Sequence, residues 1–304
     1  MSDVHYRRIT RELFLAAAGG NLGALEPWVT DRLTAILEED EVAVGDRVFA
    51  EGDSPDHVYF VRLGQVELVR DGRPVQTIEG PTALGMLDVL IDRPRILSAY
   101  ARTPLQILKI RVDPWFELLE DSFELARTSV LGLARAVAAL EERLWATGRT
   151  LSEPTPLVLG ATGAPLDIVE RLAVLMHMPP LRSAGVQPVS DLAAASEEVV
   201  FSTGERLFER GVARERIFVL IDGRVEASRE SPRVSWRGGP GQMVCGTVSF
   251  AEAGSHWEAR AVTRTRALAF GIDDWFDVME ENFEMVRATL AALAVERERL
   301  VGAL

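Results

Sequence analysis

A single cysteine in 304 residues, Cys245, excludes an internal disulfide and fits a reducing compartment, so a cytoplasmic chain is expected. Positive charge is also short: 33 Lys and Arg stand against 46 Asp and Glu, a net charge of −13. A field of that sign opposes nucleic acid and anionic membranes as partners. No run approaches the roughly 18 apolar residues of a membrane span, and the opening MSDVHYRRITRELF has no apolar signal core. The four histidines, His5, His57, His177 and His256, show no metal-ligand spacing with one another or with Cys245. MHMPP, around His177, sets two thioethers beside an imidazole, but it closes an apolar helical stretch where core packing is the simpler role. Cys245 has no histidine at a useful spacing and reads as a small buried residue. There is no Gly-x-Ser-x-Gly elbow, no Gly-Lys-Ser phosphate loop and no carboxylate pair in a catalytic setting. Neither an enzyme nor a resident cofactor is expected.

What the chain does have is a repeat. VGDRVFAEGDSPDHVYFVRLGQVEL from Val44 and TGERLFERGVARERIFVLIDGRVEA from Thr203 hold their glycines in register: Gly45 with Gly204, Gly52 with Gly211, Gly64 with Gly223, each pair 159 residues apart. Phe49 and Phe208, Tyr59 and Phe218, and Val66 and Val225 keep the same separation. VDPWFELLEDSFELAR from Val112 returns as IDDWFDVMEENFEMVR from Ile272, now 160 residues on. The chain therefore carries two copies of one domain.

Each copy reads as β-rich and then helical. HVYFVRL and QVELVR alternate apolar and polar residues around Gly64, which predicts strands joined at a tight turn. LQILKIRV alternates too, after which Asp113-Pro114 predicts a helix start with Asp113 as its cap; RALAFGI and Asp273 play the same parts in the second copy. PWVTDRLTAILEE and VSDLAAASEE predict a helical stretch before each set of strands. TGRTLSEPTPLVLGATGAP has linker composition and precedes a short helix, LDIVERLAVLMHM. The expected division is residues 1–147, a linker with a short helix over 148–180, and residues 181–304.

The spacing of Gly45, the Glu51-Gly52-Asp53 turn, Tyr59-Phe60, Gly64, Gly85 and Pro94-Arg95 resembles the cyclic nucleotide-binding domain family, which includes bacterial catabolite-activator regulators and the regulatory subunits of cyclic-AMP-dependent kinase. The resemblance covers residues 25–145 and 186–301. It implies an α+β chain of two tandem β jelly rolls, each of eight strands flanked by helices, with the ligand held between strands under a short helix. The family's cassette reads roughly Phe-Gly-Glu and, several residues later, Pro-Arg-x-Ala-Thr. Its Glu accepts from the ribose 2′-hydroxyl and its Arg pairs the cyclic phosphate.

Carried onto the first copy, the resemblance gives a ligand site of Gly85, Met86, Asp88, Arg95 and Ser98. Met86 stands where the family has Glu, and losing that charge-assisted bond costs about 1.5 to 3 kcal/mol, at least about tenfold in affinity. Leu97 stands where the family has the small Ala, and Asp88 is the alternative ribose acceptor. The simpler reading of Arg95 is an exposed side chain paired with Asp92. In the second copy the cassette positions are Gly246, Thr247 and Ser255, with His256 as the one cation near the phosphate position. A buried anion there lacks a partner.

The helix after each copy carries a heptad-like seam. Val130, Leu133, Val137, Leu140 and Leu144 form it in the first; Val286, Leu290 and Leu293 form it in the second, where Arg297 interrupts it before Leu300. Either the seams mediate self-association or they pack on their own barrels. RRIT, Arg7 to Thr10, resembles the kinase-directed segment that precedes tandem nucleotide domains, and reads equally as a helix start. The function expected is that of a non-enzymatic regulatory or architectural protein with pockets degenerate toward cyclic AMP, acting on a protein partner or as a homodimer. The alternative is a cyclic nucleotide sensor that binds its ligand in the first copy through Arg95.

Overall fold

The computed structural model describes residues 26–148, 164–212, 215–230, 233–244, 250 and 257–304. Two compact units divide the chain between Gly132 and Leu133.

The first unit opens with helix α1 (Pro27–Ile36), which leads into β1 (Leu37–Val42), β2 (Arg47–Phe49), β3 (His57–Leu63), β4 (Gln65–Arg70), β5 (Arg73–Glu79) and β6 (Thr82–Leu84). Helix α2 (Met86–Ile91), β7 (Ser98–Ala101), β8 (Leu105–Arg111) and α3 (Val112–Asp121) follow, and then α4 (Phe123–Ala146), within which the division between the units falls. The strands form two antiparallel sheets, in the orders β1-β8-β3-β6 and β2-β7-β4-β5. That interleaving of strands distant in sequence is a jelly roll. Gly64 does join two strands as the alternation predicts, but β3 and β4 do not pair; the chain crosses there from one sheet to the other. The crossing needs a residue without a side chain, because a Cβ on Gly64 would lie 2.5 Å from the Pro104 carbonyl oxygen, at a φ of +106°.

The second unit repeats the plan. Helices α5 (Ile168–Leu175), α6 (Pro179–Arg182) and α7 (Val186–Ala195) precede β9 (Glu197–Phe201), β10 (Arg206–Phe208), β11 (Arg216–Asp222), β12 (Val225–Glu230), β13 (Arg233–Gly238) and β14 (Met243–Val244). After them come β15 (Glu258–Ala261), β16 (Thr265–Gly271), α8 (Ile272–Glu281) and α9 (Phe283–Ala303). The sheets are β9-β16-β11-β14 and β10-β15-β12-β13, each strand eight places after its counterpart. Even the irregularities recur: the register shifts between Arg47 and Phe49, and again between Arg206 and Phe208. The repeat seen in the glycines is thus a repeat of two jelly rolls.

Alternation decides what each barrel buries. Phe49, Val61, Val66, Leu68, Leu84, Ala99, Ala101, Leu105 and Ile107 form the inner cluster of the first. The next residues of β8, Leu108 and Ile110, are 1% exposed as well, and α3 packs against that strand. Each such side chain contributes about 1.5 to 3 kcal/mol relative to exposure.

Several local expectations shift by a few residues. Glu38 and Glu39 belong to β1, and Glu197 and Glu198 to β9, not to the preceding helices, because ladder pairing with β8 and β16 draws them into sheets. Asp113 and Asp273 lie inside the first turns of their helices, which begin at Val112 and Ile272. The N-terminal N–H capping in the second falls to Asp274, which accepts from the Gly271 backbone at 2.6 Å. Helix α5 carries a reciprocal box: Glu170 N–H donates to Asp167, and Asp167 N–H donates to Glu170. His177 is exposed with Nδ1 2.7 Å from the Ala173 carbonyl, while Met178 beside it is buried. No helix among the described residues is long and apolar enough to cross a membrane.

A buried ion pair ties the chain ahead of α5 to the second barrel. Arg266, 3% exposed, donates to Glu198 at 2.8 Å and to the Ala164 carbonyl, and the Leu166 N–H donates to Glu198 at 3.0 Å. Burial pushes the Glu198 carboxyl up, but the Leu166 N–H and Arg266 together hold it below its usual range. A carboxyl whose folded pKa is depressed contributes full stability above its unfolded value and loses that contribution as pH falls through the folded one. Glu198→Gln is therefore expected to destabilise the second unit at neutral pH by about 2 kcal/mol. It should also flatten the acid limb of the stability curve below the usual carboxylate range. Urea unfolding across pH 3 to 7 checks both, and a mutant curve parallel to that of the unaltered chain refutes the assignment.

Candidate functional site

The site is built where β6 runs out. Leu84 ends the strand, Gly85 takes a left-handed φ of +78°, and α2 begins at Met86. Asp92 terminates that helix in a left-handed conformation of its own, its N–H bonded to the Val89 carbonyl. Arg93 and Pro94 then lead to Arg95, which is stitched to the β2–β3 loop by two backbone bonds. Its N–H donates to Asp53 O at 2.9 Å, and its carbonyl accepts from Gly52 N–H at 2.8 Å. The loop is fastened again where Ser98 Oγ accepts from the Glu51 N–H at 2.9 Å.

Arg95 is not the exposed side chain that pairing with Asp92 calls for. It is 2% exposed, and it points inward. One terminal nitrogen donates to the Gly85 carbonyl, the other to the His57 carbonyl. Asp88 Oδ2 stands 3.8 Å from the first of these, and the Phe49 ring lies 4.7 Å beneath the guanidinium carbon. Burial pulls the guanidinium pKa below its usual range, and the carboxylate of Asp88 chiefly opposes that. The same burial raises the Tyr59 hydroxyl, against the pull of Arg95 and Lys109. Arg95 Nε has no hydrogen-bond partner.

Gly85 is required by this packing, since a Cβ there would come within 2.5 Å of the Arg95 guanidinium. Asp88 is 8% exposed and is held by Arg93, whose Nε donates to Oδ1 at 2.9 Å. Both of its oxygens thus face arginines. Met86 is half-buried, and Leu97 packs against the inner cluster of the barrel. Gly85, Asp88 and Arg95 are therefore brought together, whereas Ser98 is turned to the loop at Glu51. His57, whose carbonyl holds Arg95, and Phe49 beneath it gave no motif signal; only their places in the repeat could have singled them out.

Residues 39–122 match the family model described as Cyclic nucleotide-binding domain. The match lies within the first copy. Its relatives include a cAMP-dependent protein kinase regulatory subunit of Aspergillus niger, 28% identical over 121 residues, which are 39% of this chain and 29% of the relative. A CRP-like cAMP-activated global transcriptional regulator of Mycobacterium tuberculosis is 29% identical over 135 residues, 43% of this chain and 60% of that protein. Each match spans less than two thirds of the relative's length. Among solved structures, cAMP bound PfPKA-R (141-441) covers 92% of this chain and 85% of its own at a TM-score of 0.41 and 15% identity.

In the second unit, Gly246, Thr247, Ser255 and His256 lie outside the described residues, as do Cys245 and the Arg7 to Thr10 segment. Trp257 is described: it is buried on the inner face of the second barrel, 160 residues after Leu97. Of the seam positions, Val130, Val137, Leu144, Val286, Leu290 and Leu293 are buried within one chain, and Leu133 and Leu140 are half-buried. Helix α9 packs against α6 and α8, and Arg297 on it is half-buried, which lowers its pKa.

Proposed function

We propose that the chain is a non-enzymatic regulatory protein whose first pocket does not take cyclic AMP in the family's usual mode, and which acts on a protein partner or on a second copy of itself. The commitment of Arg95 carries this reading. A phosphate clamp offers paired N–H donors to its ligand, and here each terminal nitrogen already gives one N–H to a carbonyl, of Gly85 and of His57, with Asp88 as counter-charge. A nucleotide phosphate entering there would have to share the guanidinium with those carbonyls and face the buried Asp88 carboxylate. Met86 supplies no acceptor for the ribose in return. Relatives named as regulatory subunits and as a transcriptional regulator support a regulatory role over a catalytic one.

A sensor reading has one observation in its favour: the Arg95 Nε that lacks a hydrogen-bond partner is a buried donor that a ligand could satisfy. Titration calorimetry of the full chain with cyclic AMP, cyclic GMP and cyclic dinucleotides separates the two. No heat at about 1 mM ligand is expected. Micromolar binding that disappears in Arg95→Met overturns the degenerate-pocket reading and installs the sensor.

A further inference from the structure

A helical aromatic side chain packs against the inner cluster of the second barrel. Phe218, Leu220, Val225, Ala227, Ala259, Ala261, Ala267 and Ala269 line its inner face. Five of these are alanines, the smallest side chains after glycine. Trp145, in the last turn of α4 and within the second unit, packs onto that cluster. Its ring meets Trp257 edge to face, with centroids 4.8 Å apart and planes at 71°. Arg229, at the end of β12 and 6% exposed, lies 5.7 Å from the centre of the Trp145 ring. Glu142, three residues before Trp145 on the same helical face, accepts from Arg229 at 2.6 Å.

The local sequence sets this up. Gly148 stops the helix with a left-handed φ of +74°, its N–H bonded to the Trp145 carbonyl, so that Trp145 falls in the final turn. Trp257 stands at the position that Leu97 holds in the first copy, close to where that copy carries Arg95. The partly buried side chains on the first barrel's inner cluster are Val42, Val48, Tyr59, Ile78 and Leu97, all from the barrel itself. Among the described residues, the second barrel has a helical side chain, Trp145, in the corresponding group.

We infer that Trp145 is a tethered ligand of the second barrel, clasped by the Glu142–Arg229 ion pair. An indole is a planar bicycle about the size of a purine, and it meets here an aromatic edge and a guanidinium, the groups that recognise such rings. Being part of the chain, it competes at an effective concentration of about millimolar or higher, against which a free aromatic ligand at micromolar levels fails. The second barrel is closed by docking, and release of the helix end is what opens it.

Hydrogen exchange on the full chain tests this. Glu142→Arg sets two cations together and is expected to speed amide exchange over residues 140–147 by about tenfold, with β11 and β16 unchanged. Adding Arg229→Glu restores the pair in reverse and should return the slow rate. Unchanged exchange in Glu142→Arg overturns the proposal, and so does a double variant no slower than the single one. Trp145→Ala supplies a second readout, the binding of a fluorescent purine, N-methylanthraniloyl adenosine. The opened chain should bind it at least about tenfold more tightly than the unaltered chain, and still do so when Arg95→Met is added, which keeps this outcome separate from any binding in the first unit. Equal affinity in a folded Trp145→Ala chain overturns the proposal.

Discussion

Replacing Gly64 with alanine is expected to cost the first unit about 3 to 5 kcal/mol. The added Cβ would stand 2.5 Å from the Pro104 carbonyl oxygen and 2.7 Å from the Leu105 side chain. Neither is the free end of a flexible chain: Pro104 is backbone, and Leu105 is 1% exposed in the core. The φ of +106° adds strain that an L residue does not relieve. Gly223→Ala should do the same in the second unit, where the Arg264 carbonyl takes the place of Pro104. Urea unfolding, read by hydrogen exchange on β3 with β8 and on β11 with β16, assigns each loss to its own unit. A loss below about 1 kcal/mol for Gly64→Ala would mean that the sheet crossing tolerates a side chain.

Arg95→Met is expected to destabilise the first unit by about 3 kcal/mol. The substitution keeps most of the side chain's volume, so the effect comes from what the guanidinium held rather than from a cavity. The Gly85 and His57 carbonyls lose their donor inside the protein, at about 1 to 3 kcal/mol for each buried group left unsatisfied. Asp88 loses one of two cations and retains Arg93. Adding Asp88→Asn removes a buried carboxylate left with one cation in place of two and should recover part of the loss, a coupling that a double-mutant cycle reads directly. If Arg95→Met is neutral, the carbonyls have found water, and the guanidinium is free for another task. The stability result thus bears on function as well, because a residue that holds the fold together this strongly is not idle in its pocket.

Much of the fold was legible before any coordinates. The glycine register from Gly45 to Gly64 and from Gly204 to Gly223 is a backbone requirement, and backbone requirements recur wherever the same turn recurs. The alternation in HVYFVRL and LQILKIRV reports burial on a pleated surface, which is likewise local. The element boundaries were less legible, for a reason visible at Glu38 and Glu39. Their helical propensity is satisfactory, yet pairing with Lys109 and Leu108 of β8 overrides it.

The sequence by itself determined that there are two copies of one β-rich domain, and that the first sets Gly85, Met86 and Arg95 at a spacing that resembles a nucleotide cassette. These are statements of residue type and spacing, which a chain carries openly. Tertiary structure alone decided what the surviving arginine does, since its partners are the carbonyls of Gly85 and His57, and carbonyls have no identity in a sequence. It alone decided where Trp145 goes as well. The heptad steps through Leu144 locate one face of a helix, but Trp145 meets Arg229 and Trp257 roughly a hundred residues later in the chain. A contact that distant depends on how the barrel closes, and no local period records it.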